Sequence, residues 1–99
     1  MYNRFLEKYV NNFYYNQILN NYKTEYLNTL DEQQFLSIYK LFLEYKFYFI
    51  EDIILKYIEI FELDYNIVKE KLENLKEKLG NNFTYIIGNN MNYLSEILK

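Results

Sequence analysis

The 99-residue chain is expected to be all-α: a short right-handed array or compact bundle of about six to seven helices, built from three helix-turn-helix units. Three observations predict this. Apolar residues recur at helical spacing almost throughout. No proline interrupts them. The pattern also repeats itself at about 34–36 residues, the sequence signature of stacked helical units.

Taken in order, Phe5, Tyr9 and Phe13 run at i, i+4, i+8, and Phe35, Ile38, Phe42 and Tyr45 form the next stripe. A broad stripe follows in Phe49, Ile50, Ile53, Ile54, Tyr57, Ile58 and Phe61, then a narrower one in Val68, Leu72, Leu75 and Leu79. Thr29 with Glu32 three residues later resembles a capping box. Asp64 is placed to cap the helix carrying Val68 to Leu79. Gly80, just past Leu79, is placed where a helix stop needs positive φ. Gly88 with Asn89 and Asn90, and the pair Asn20 and Asn21, are read as further breaks, since Asn tolerates the left-handed region.

The repeat aligns Phe5 with Leu41 and Leu75, Tyr9 with Tyr45 and Leu79, Phe13 with Phe49 and Phe83, and Ile18 with Ile54 and Ile87. The segment Val10-Asn11-Asn12-Phe13 is echoed by Gly80-Asn81-Asn82-Phe83. Leu30-Asp31 and Leu63-Asp64 each precede the first helix of a unit. Residues 1–99 are read as one helical domain, because a unit this small cannot bury its apolar faces alone.

Composition narrows the chemistry. The chain has neither Cys nor His. That excludes disulfide frameworks, Cys/His zinc sites, thiol nucleophiles and every His-based triad. Ser37 and Ser95 are the only serines, and neither lies in a Gly-flanked elbow. Gly80 and Gly88 are too few and too far apart for a phosphate loop. Together these features point to a chain that is not an enzyme and uses no cofactor and no metal. Asn, Ile, Tyr and Lys supply 48 residues. Their AT-rich codons point to an AT-rich bacterium, its phage or plasmid, or an AT-rich protist. Residues 1–10 carry Arg4, Glu7 and Lys8 with no uninterrupted apolar run, unlike a signal peptide. No segment has the roughly 20 apolar residues that span a bilayer. The expectation is a cytoplasmic protein with no membrane contact.

Charge is uneven. The whole chain is −3, but residues 44–64 set six carboxylates against Lys46 and Lys56, a net −4. Within that stretch Glu51, Asp52, Glu59, Glu62 and Asp64 are candidate partner-binding residues. Asp52 and Glu59, seven apart, would share a side of one continuous helix. A solvated face, an acidic recognition patch, a divalent-cation site and an acid/base pair are the readings open to them. No Asp-x-Asp loop with a turning Gly is present, so a calcium loop is excluded. Tyr48 and Tyr65 are the aromatic candidates beside them. Tyr14, Tyr22, Tyr26, Tyr85 and Tyr93 share the same choice between rim packing and interface contact. Lys69, Lys71, Lys76 and Lys78 alternate with Glu70, Glu73 and Glu77, the pattern of an exposed helix laced with ion pairs.

One resemblance bears on residues 38–98. The stretch Phe49-Ile50-Glu51-Asp52-Ile53-Ile54, then Leu63-Asp64, Val68, Leu72-Glu73-Asn74-Leu75 and Leu79-Gly80, closed by Phe83-Thr84-Tyr85-Ile86-Ile87 and Tyr93-Leu94, resembles the repeats of mitochondrial transcription termination factor-like proteins. The resemblance implies an α-solenoid that grips nucleic acid along a basic concave face. The family's proline is absent here, with Tyr57 or Asn90 near its place, and the corresponding middle is acidic. The charge therefore favours a basic protein partner over nucleic acid. The expected function is a non-enzymatic interaction module, an inhibitor of the anti-CRISPR kind from a phage or mobile element. It would cover a nucleic-acid-binding host protein with an acidic, Tyr-rich surface. A minimal nucleic-acid-binding repeat protein is the alternative, and self-association through exposed aromatic faces is expected under either.

Overall fold

A computed structural model describes residues 4–99. Among the described residues there are six α-helices, three 3₁₀ segments and no strand. They fall into three units. The first contains a 3₁₀ segment (Phe5–Lys8), α1 (Asn12–Asn21) and α2 (Thr24–Leu27). The second contains α3 (Glu32–Glu44), α4 (Ile50–Lys56) and a 3₁₀ segment (Ile58–Glu62). The third contains α5 (Tyr65–Leu79), α6 (Phe83–Asn89) and a 3₁₀ segment (Met91–Leu98). The second and third units match element for element. In both, a single non-helical residue, Tyr57 or Asn90, separates the seven-residue helix from the 3₁₀ segment. Each unit thus has a third element that apolar spacing alone does not separate.

Like elements pack on like. The first 3₁₀ segment meets α3 through Phe5 and Phe35, whose rings lie 5.4 Å apart, and α3 packs on α5. α1 packs on α4, and the second 3₁₀ segment packs on the third. The units therefore lie in file, and the molecule measures 42 × 25 × 22 Å. One apolar core runs through all three. Its axis is a line of aromatic rings. From Phe35 it passes to Phe61 (4.7 Å), Phe42 (5.6 Å), Phe47 (5.1 Å), Phe83 (5.8 Å) and Tyr45 (6.0 Å). With Ala and Trp absent, Phe supplies the volume that joins one unit to the next.

Caps explain most boundaries. Asn11 accepts a hydrogen bond from the Tyr14 amide, Asp31 from the Gln34 amide and Asp64 from the Asn66 amide. The capping box expected at Thr29 does not form. Thr29 instead donates its hydroxyl to the Tyr26 carbonyl in the turn after α2, and the carboxylate of Asp31 caps α3. Gly80 stops α5 at φ 88°, as its position predicts. Gly88 is not a stop. It lies inside α6, where a Cβ would sit 3.1 Å from a carbon of the Phe49 ring and 3.1 Å from Tyr48 Cζ. Its role is close approach. The Asn breaks occur at Asn21, where Tyr22 turns extended, and at Asn90, which is neither helical nor left-handed. The Phe5–Tyr9–Phe13 stripe is likewise interrupted: the chain turns before the Asn11 cap, and Phe13 is left 65% exposed while its counterparts Phe49 and Phe83 are buried.

The end of α3 is unusual. Lys46 takes φ 65°, its amide bonds the Leu43 carbonyl, and the Phe47 amide bonds the Phe42 carbonyl. This is a Schellman stop, with Phe47 packing on Phe42, but with Lys where Gly is usual. A Cβ in that region costs about 1–2 kcal/mol, and glycine gives part of it back as unfolded-state entropy. Lys46→Gly is therefore expected to raise the urea midpoint by the equivalent of about 0.5–1 kcal/mol. A lowered midpoint would show that the Lys46 stem packs usefully on its neighbours.

Candidate functional site

Carboxylates of the acidic middle and tyrosines of the first unit meet at one seam. Tyrosines of the first unit reach across it. Tyr14 donates its hydroxyl to Asp52 (2.8 Å), Tyr22 to the Leu55 carbonyl (2.9 Å) and Tyr26 to Glu62. The Asn11 amide donates to Glu51 (2.7 Å), and Lys8 and Tyr9 both donate to Glu32. Tyr45 of the second unit repeats the device by donating to Glu73 on α5. Tyrosine suits this place because its ring covers the core rim while its tip bonds a solvated carboxylate.

These bonds hold the phenols neutral. Hydrogen bonding to Asp52, then burial, pushes the Tyr14 hydroxyl above its usual ionisation range. Burial followed by Glu62 does the same to Tyr26, and burial followed by Glu73 to Tyr45. Burial also raises Tyr9 and Tyr22. A phenol that ionises later folded than unfolded adds stability that is complete below the unfolded value, about pH 10, and is lost above it. Urea midpoints are expected to fall between about pH 10 and about pH 12, with tyrosinate absorbance rising in step. A midpoint indifferent to that interval would mean that the hydroxyls do not hold the seam.

The candidate residues divide among several places. Glu51 and Asp52 open α4, half-buried, each with one oxygen already accepting a bond. Glu59 does not share a helix face with Asp52. The chain leaves the α conformation at Tyr57 (φ −136°, ψ 45°), and Glu59 stands exposed on the second 3₁₀ segment. The same break separates Glu51 from Glu62. Glu62 is exposed beneath the Tyr26 hydroxyl, and Asp64 serves as the α5 cap. Tyr65 lines a separate hollow of about 320 Å³ with Gln33, Ser37 and Lys40. The ion pairs among the described residues are Arg4–Glu7, Lys8–Glu32 and Lys78–Glu96, and none involves these five acids. No cluster of three or more metal-ligating side chains occurs among the described residues.

Only Tyr48, Glu51 and Asp52 come together. With Tyr9, Tyr14 and Tyr39 they line an open groove of about 440 Å³, and Leu43 stands at the same surface, half exposed. Tyr48 is 68% exposed and set edge-on to Phe49, their rings 4.9 Å apart. Tyr9 and Tyr39 are paired at 5.1 Å. Tyr39 and Leu43 were not among the candidates. Their signal was the run Phe35, Tyr39, Leu43 at i, i+4, i+8, a stripe that climbs out of the core instead of following it. The groove therefore brings together phenols, apolar rings and two carboxylates without ion-pair partners among the described residues. It can hold a cation that also offers a flat or apolar surface.

No known protein family, curated protein or solved structure matches the chain. Among the described residues, no helix is long and apolar enough to cross a membrane.

Proposed function

We propose that this chain is a non-enzymatic protein-interaction module that covers the basic face of a nucleic-acid-binding protein, as an inhibitor of the anti-CRISPR kind from a phage or mobile element does in a host cytoplasm. The observation that carries this reading is the charge of the middle unit. Glu51, Asp52, Glu59 and Glu62 have no ion-pair partner among the described residues, and the exposed Tyr48 stands in the groove that Glu51 and Asp52 line. Carboxylates in such a place speed encounter with a basic surface, and the aromatic rings supply the affinity. Affinity capture from a candidate host is expected to retain a basic nucleic-acid-binding protein that free nucleic acid displaces. Glu59→Lys, an exposed change outside the seam bonds, is expected to weaken that capture. Retention of no such protein, or retention indifferent to Glu59→Lys, would refute the reading.

A second reading is supported by the match between α3–α4–3₁₀ and α5–α6–3₁₀, which gives the repeat anatomy a nucleic-acid-binding solenoid would have, as in the termination factor-like family. It requires duplex or single-strand binding that falls steeply with salt. Gel shifts at about 50 mM salt decide it: a retarded band supports it and an unshifted probe removes it.

A further inference from the structure

We propose that the groove between the first and second units receives an arginine side chain of the partner protein; the inference rests on the interaction-module reading and names the chemistry its groove selects. Glu51 uses Oε2 on the Asn11 amide, and Asp52 uses Oδ1 on the Tyr14 hydroxyl. Both donors are neutral. They fix the carboxylates in place without cancelling either charge. Among the described residues no hydrogen bond reaches the second oxygen of either, and no Lys or Arg pairs with these carboxylates. The same groove presents Tyr9, Tyr14, Tyr39 and Tyr48. A guanidinium answers both features. Its plane stacks on aromatic rings, and its fork of N–H groups suits carboxylate oxygens. A lysine ammonium is compact and strongly hydrated, so it gains less from the rings. A quaternary ammonium has no N–H to give, so both open oxygens would stay unpaired. The groove is wide enough, at about 440 Å³, for an arginine with the backbone on either side of it.

The test titrates ¹⁵N-labelled protein with acetyl-Gly-Arg-Gly-amide, its lysine counterpart and its trimethyl-lysine counterpart. The arginine peptide is expected to shift the amides of Tyr48, Glu51 and Asp52 and to bind several-fold more tightly than the other two. The double variant Glu51→Gln/Asp52→Asn keeps an acceptor oxygen for the Asn11 amide and the Tyr14 hydroxyl, so the fold is preserved while both charges go. Its affinity for the arginine peptide is expected to fall about tenfold or more. Equal binding by the double variant, equal binding of lysine, or shifts scattered away from the groove would overturn the proposal. The two readings fail separately. A captured partner that responds to Glu59→Lys while the arginine peptide leaves the groove unshifted overturns the groove alone. A groove that selects arginine upholds the site even where capture retains nothing.

Discussion

Phe61→Ala is expected to destabilise the protein by about 3–5 kcal/mol, the usual cost of removing a fully buried Phe. Its ring is 1% exposed, stacked on Phe35 at 4.7 Å and tilted on Phe42 at 5.6 Å. It also sits in a 3₁₀ segment, whose backbone bonds hold it weakly. The segment is kept in place by what its side chains bury, so truncation removes both the filling and the anchor. A domain of this size has about 5–15 kcal/mol in total, and the change takes a large share of it. Urea denaturation measures the loss directly. Tyr85→Ala, at a ring 64% exposed, is the matched control and should stay within about 0.5 kcal/mol. A loss at Phe61 as small as the control's would mean that the rings do not tie the units together.

The second large effect concerns the seam. The triple variant Tyr14→Phe/Tyr22→Phe/Tyr26→Phe keeps every ring and removes three hydroxyls that cross from the first unit to the second. Each such bond contributes about 1 kcal/mol net, so the sum is about 2–3 kcal/mol. The loss should be local. Amides of α1 and α2 are expected to exchange about 30-fold faster or more, while those of α5 keep their protection. Uniform acceleration along the chain would show that the first unit has no separate opening and would overturn the seam as a boundary.

What was legible in the sequence follows from the range of the forces involved. α5 could be read from end to end, because its stripe, its Asp64 cap and its Gly80 stop all act within one helix. The succession of units was legible because stacking repeats the same burial demand at each step. The seam was not. Tyr14 and Asp52 are 38 residues apart, and Tyr26 and Glu62 are 36 apart, about one repeat. The period says that neighbouring units touch, but not which polar tips meet there. For the same reason the acidic stretch looked like one face. Its continuity depended on a single helix, and the non-helical conformation of Tyr57, with no Gly or Pro to announce it, divides Asp52 from Glu59. Lys46 hid the α3 stop in the same way, by adopting a conformation its residue type disfavours.

Gly88 belongs to the third unit, yet it supports Tyr48, which lines a groove made by the other two. Any side chain at that position would push the phenol outward and alter the opening without touching what enters it. A lineage under pressure to meet a different surface thus has an adjustable stop at a distance from the contact, one that drift at the carboxylates themselves would not offer.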